Sequence, residues 1–79
     1  MSEVGEGFKG RVIDVVDVYG ERYKFYNMGF YPGNTVIVIY RGDRESILRI
    51  GRKIVKVSND VFEKVLVVED SGIYFVEWS

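Results

Sequence analysis

Seventy-nine residues carry 11 basic and 12 acidic side chains, a net charge of −1. That length holds one small domain, and the near-neutral balance argues against a general nucleic-acid binder, for which a strongly basic domain is expected. The absence of cysteine and histidine removes disulfide staples, thiol nucleophiles and imidazole catalysis.

The chain opens Met1-Ser2-Glu3-Val4-Gly5-Glu6, polar and acidic and unlike a signal peptide. No apolar run approaches the roughly 18 residues that a membrane span needs, so a cytoplasmic protein is expected, membrane-associated only through a partner. Residues 1–6 read as a mobile tail. A first strand follows over about Phe8 to Val18, with its alternation slipping at Val15-Val16, which suggests a bulge or a strand buried on both faces. Tyr19-Gly20-Glu21 breaks it, and one helical turn spans Arg22 to Met28. Gly29 stands just past that turn, where a left-handed backbone suits glycine. Pro32-Gly33 has the chemistry of a tight turn, with proline fixing φ and glycine free to take positive φ.

A six-residue β-rich run, Thr35-Val36-Ile37-Val38-Ile39-Tyr40, begins the second strand, Thr35 to Arg41. The turn Arg41-Gly42-Asp43-Arg44 leads to a third strand over Glu45 to Ile50, and Gly51-Arg52 makes a tight hairpin into a fourth, Lys53 to Ser58. Asp60-Val61-Phe62-Glu63 has the form of a capping box with Asp60 as N-cap. The fifth strand is Val65 to Glu69. Asp70-Ser71-Gly72 is a turn, and Ile73 to Trp78 reads as an additional strand. Its Tyr74, Val76 and Trp78 share one face, and Ile73, Phe75 and Glu77 the other. With no disulfide to help, so small a core is expected to rely on Val, Ile and Leu with the twelve aromatics, six tyrosines, five phenylalanines and one tryptophan. The fold expected is all-β: a small barrel of five strands with one or two short helical turns over residues 7–69. Residues 70–79 are the extra C-terminal strand.

The elbow Phe25-Tyr26-Asn27-Met28-Gly29-Phe30-Tyr31-Pro32-Gly33, entering a strand at once, resembles the ferrous iron transport protein A (FeoA) family. That motif runs two apolar residues, a Met-Gly or Leu-Gly pair, an apolar residue, a variable residue, Pro-Gly and a β-strand. Phe25 and Tyr26 fill the apolar pair; Met28, Gly29, Phe30, Pro32 and Gly33 match the rest. Gly51 with Ile54-Val55 resembles the family's second hairpin, and Val65-Leu66-Val67 its closing strand. The likeness covers about Gly7 to Val68. It implies an SH3-like barrel, a domain that also ends metal-dependent repressors of the DtxR type. Three departures stand out: the C-terminal extension, one added residue between Gly51 and Val57, and Phe62 where the family prefers a small side chain.

The resemblance implies a non-enzymatic accessory protein of ferrous iron uptake that binds the cytosolic region of a FeoB-like membrane GTPase and permease. The alternative is a stand-alone regulatory module related to the repressor's barrel domain. An RNA-binding barrel is a third reading. Ser46, Ser58 and Ser71 lack an evident base, apart from Lys53 and Lys56 near Ser58, so no enzyme is expected. For metal, iron(II) prefers imidazole or thiolate, and this chain offers only carboxylates and carbonyls. Asp14, Asp17 and Glu21, with Asp60 and Glu63, are weak candidates for a loosely held divalent ion, and no tight cofactor is expected. Between Arg41 and Lys56, six cations (Arg41, Arg44, Arg49, Arg52, Lys53, Lys56) face two carboxylates (Asp43, Glu45), an excess of four. Arg49, Arg52 and Lys53 on the hairpin are therefore a candidate partner surface, and the resemblance implies a second at the elbow and its short helix, through Arg22, Lys24 and Tyr31. The C-terminal strand is a candidate for self-association.

Overall fold

The computed structural model describes residue 1 and residues 3–70. Strand β1, Lys9–Val15, turns Gly10, Val12 and Val15 inward. The step from Val12 to Val15 breaks the two-residue period, and the register of β1 against β5 (Val65–Glu69) shifts between Val12 and Asp14. The expected bulge therefore lies earlier than Val15-Val16. The strand is also shorter than expected, because Asp17 (φ 55°), Tyr19 (φ 46°) and Gly20 (φ 87°) all take left-handed backbone, which no strand accommodates.

Helix α1 is Arg22–Met28, as the sequence predicts. Strands β2 (Thr35–Arg41), β3 (Glu45–Ile50) and β4 (Lys53–Ser58) also take their expected bounds. They form one antiparallel sheet with β1 and β5 in the order β4-β3-β2-β1-β5. This is the SH3-like all-β architecture. Helix α2 is Asn59–Glu63, and its N-cap is Ser58, whose Oγ accepts from the Val61 amide at 3.3 Å. The expected cap at Asp60 is thus corrected. Ser58 has extended backbone (φ −68°, ψ 155°), as a cap requires, whereas Asp60 already lies inside the helix.

Val12, Val15, Phe30, Val36, Val38, Leu48, Ile50 and Val65 form the centre of the core, with Phe62 wholly buried beside them. The space for the Phe62 ring is closed by the Arg41 guanidinium, 4.1 Å from the ring centroid. Arg41 Nη1 in turn donates to the buried Ser46 Oγ (3.2 Å), Ser46 donates to Asn59 Oδ1 (2.9 Å), and Asn59 Nδ2 donates to the Gly42 carbonyl (3.0 Å). Polar groups in this corner are thereby satisfied, as burial demands. The residues read as a tail lie against the sheet: Met1 is buried, Val4 is packed on the core, and the Glu6 carboxylate accepts from the Arg41 amide at 3.0 Å. The expected C-terminal strand, from Ile73 on, falls outside the described residues, and with it the self-association surface.

Candidate functional site

Glu21 occupies the N-cap of α1 but makes no side-chain cap. The helix is instead held from the side by Asp14 on β1. Asp14 Oδ1 accepts from the Val15 amide (2.8 Å), the Tyr26 hydroxyl (2.8 Å) and Arg22 Nη1 (2.6 Å). Arg22 Nη1 also donates to the Val15 carbonyl at 3.1 Å. The Val15 amide, and next the Tyr26 hydroxyl, hold the Asp14 carboxyl below its ordinary pKa. The Tyr26 hydroxyl and then the Asp14 charge raise that of Arg22. Two sequence candidates, Arg22 as partner surface and Asp14 as ion ligand, are therefore joined to each other in the tether of α1 to β1.

The elbow follows from local chemistry. The Gly29 amide donates to the Tyr26 carbonyl and the Phe30 amide to the Phe25 carbonyl, both at 3.0 Å, with Gly29 at φ 111°. This is the Schellman arrangement, and its usual apolar contact is the Phe25–Phe30 ring pair at 6.5 Å. Asn34 then reaches back, its Nδ2 donating to the Gly29 carbonyl at 2.8 Å. The Asn34 amide donates to the Tyr31 carbonyl at 3.2 Å across Pro32-Gly33, and Gly33 has φ 92°, the geometry of a type II turn. Phe25, Gly29 and Phe30 are buried here, while Tyr31, Pro32 and Gly33 are exposed. The elbow motif thus divides into a structural half and a displayed half.

Between the 17–21 loop, α1 and α2 lies an open groove of about 790 Å³. Val18, Phe25, Met28 and Val61 supply its apolar surface; Asp17, Glu21, Lys24, Asp60 and Lys64 supply charge. Tyr19 also lines it and is 93% exposed. Asp17 and Tyr19, two non-glycine residues in left-handed backbone two positions apart, are a costly local arrangement, of the kind that concentrates at functional sites. Lys24 belongs to this groove and pairs with Glu21 at 3.3 Å. Sequence reasoning found Lys24 and Met28 but missed Tyr19, Val61 and Lys64. The available signal was Phe25 and Met28, three apart and hence on one face of α1.

The weak ion candidates do not converge. Asp17, Glu21 and Asp60 line the groove while Asp14 is engaged in the tether, but among the described residues no group of three or more Asp, Glu, His or Cys is placed to hold a metal. Ser58 Oγ accepts from the Val61 amide as the α2 cap, and Lys56 pairs with Glu45 at 3.5 Å. On the basic hairpin, Arg41 is committed to Phe62 and Ser46, leaving Arg44, Arg49, Arg52 and Lys53 exposed. The hairpin adjoins the elbow, since the Gly51 amide donates to the Thr35 carbonyl at 2.9 Å. No helix among the described residues is long and apolar enough to cross a membrane.

The described residues form a small SH3-like all-β barrel with an open groove beside α1. More particularly, the chain is a member of the FeoA family: the FeoA domain model matches residues 1–69. The crystal structure of an iron uptake regulatory protein, FeoA, is similar to it with a TM-score of 0.78 at 27% identity, over 87% of this chain and 93% of that one. The NMR structure of an FeoA-like protein from Clostridium acetobutylicum has a TM-score of 0.74 over 98% of this chain and 86% of that one. Its 20% identity carries the fold alone. A comparison with curated proteins finds no match.

Proposed function

We propose that this chain is a non-enzymatic accessory protein of ferrous iron uptake, acting on the cytosolic side by binding the cytosolic region of a FeoB-like membrane GTPase and permease. Family membership supports the link to iron uptake. The observation that carries the mode of action is the groove beside α1, with Tyr19 displayed on its rim. In this reading iron is the cargo of the permease and nucleotide belongs to its G domain. The accessory chain contributes coupling: binding one state of the permease better than another shifts that equilibrium, typically by about 1–3 kcal/mol.

Tyr19, Lys24 and Lys64 at the groove, with Tyr31 at the elbow, are the docking residues of this proposal. The test is ferrous uptake in cells that lack the chain but retain the permease. Restoration by the parent chain and failure of a folded Tyr19→Ala/Lys64→Glu variant is the expected result. Equal restoration by both would overturn the groove as the docking site. Recovery of a helix–turn–helix regulator in place of the permease from the same cells would overturn the partner.

A further inference from the structure

The β3–β4 hairpin ends the sheet. β4 pairs with β3 through six residues, Glu45↔Ser58 to Ile50↔Lys53, and has no strand on its other side among the described residues. Gly51, at φ 60° in the first position of the two-residue loop, matches a type II′ turn, which is closed by a hydrogen-bonded pair, here Ile50↔Lys53. In an antiparallel ladder such pairs alternate with pairs whose amides and carbonyls point away from each other. The Asn59 amide donating to the Arg44 carbonyl at 2.8 Å fixes the same phase at the far end. Counting between these two points, Ile54 and Lys56 turn their backbone N–H and C=O groups outward. No described backbone hydrogen bond from another segment reaches them.

The surroundings of this edge are apolar at one point and basic around it. Ile54 is 68% exposed and lies opposite Arg49 on the outer face. Arg44, Arg49, Arg52 and Lys53 are all exposed and take part in none of the described ion pairs. Only Lys56 is matched, by Glu45. An extended peptide can use all three features: its backbone completes the ladder, an apolar side chain meets Ile54, and carboxylates meet the cations. A nucleic acid could use only the charge.

We infer that the β4 edge accepts an extended acidic segment of a partner protein as an added strand, with an apolar residue of that segment seated on Ile54. This edge is separate from the α1 groove. Loss of peptide binding with permease binding intact would therefore sink this inference and leave the function proposed above standing.

The probe is the synthetic peptide acetyl-EVDVEVE-amide, titrated into the isotope-labelled full chain and followed by NMR. The amides of Ile54 and Lys56 should shift and exchange more slowly with solvent, and binding should weaken with added salt. A peptide N-methylated at alternate residues, and one with lysine for each acid, should not bind. Ile54→Pro removes an outward N–H that serves no ladder bond, so it should leave the fold and abolish binding. Arg49→Glu/Arg52→Glu should weaken binding roughly tenfold or more while leaving the hairpin folded. Undiminished binding by Ile54→Pro, shifts confined to the α1 groove, or equal binding of the lysine peptide would each overturn the inference. So would a dimer of this chain that already buries β4 in the absence of peptide. An RNA oligonucleotide that moves the same amides in both parent and Ile54→Pro would replace it with a phosphate surface.

Discussion

Substituting Gly29 tests the elbow on two counts that can be separated. Its φ of 111° is a region that side chains with a Cβ rarely adopt, and the usual cost is about 1–3 kcal/mol. A Cβ built there would also lie 2.5 Å from Ile50 Cγ2, an overpacking that costs about 1–3 kcal/mol more in a close-packed core. Gly29→Ala should therefore destabilise by about 2–6 kcal/mol on these two terms. A chain of 79 residues has a total stability of about 4–12 kcal/mol, so the variant should be poorly folded or marginal. Ile50→Leu removes the offending γ2 methyl while keeping the volume. In that background the steric part should fall away, leaving the roughly 1–3 kcal/mol of backbone strain. Urea unfolding of the parent, both single variants and the double variant gives the cycle directly. An unchanged midpoint for Gly29→Ala would refute the left-handed elbow, and an equal cost in both backgrounds would refute the contact with Ile50.

Phe62→Ala should cost about 3–5 kcal/mol in thermal or urea unfolding, the range for a fully buried ring; a loss below 1 kcal/mol would mean that the Arg41 cover is not closed over it. Ser46→Ala should cost about 1–3 kcal/mol, because the Arg41 and Asn59 groups it joins are left unpaired, and a stability equal to the parent's would discard the network. Asp14 has a lowered pKa in the fold, so its contribution is complete above the unfolded carboxylate pKa and is lost as pH falls through the folded one. Asp14→Asn should flatten that acidic limb of the stability–pH curve, and an unaltered limb would contradict the tether.

The sequence made much of this fold legible because its turns are locally encoded. Gly29, Pro32-Gly33 and Gly51-Arg52 fix where α1 ends and where β2 and β4 begin, and those boundaries stand as read. What was hidden depends on partners distant in the chain. The bulge in β1 is placed by pairing with Val65 to Glu69, more than 50 positions away. The α2 cap, read at Asp60, falls at Ser58, because β4 ends there in extended backbone. Asp14 looked like a ligand because carboxylates cluster around it in sequence, but α1 folds back to bring Arg22 and Tyr26 onto it. The groove needs three segments together, so only its α1 face could be read. Phe62 was visible as a residue needing room; that Arg41 provides its lid was not.

The central claim is that this barrel acts through the surface it presents beside α1. Calorimetric titration of the chain into the purified cytosolic region of the FeoB-like permease measures that most directly. Saturable binding by the parent, abolished in Tyr19→Ala/Lys64→Glu at an unchanged melting temperature, is the outcome predicted. No binding to a folded partner, or binding that the groove variant leaves intact, would contradict the account.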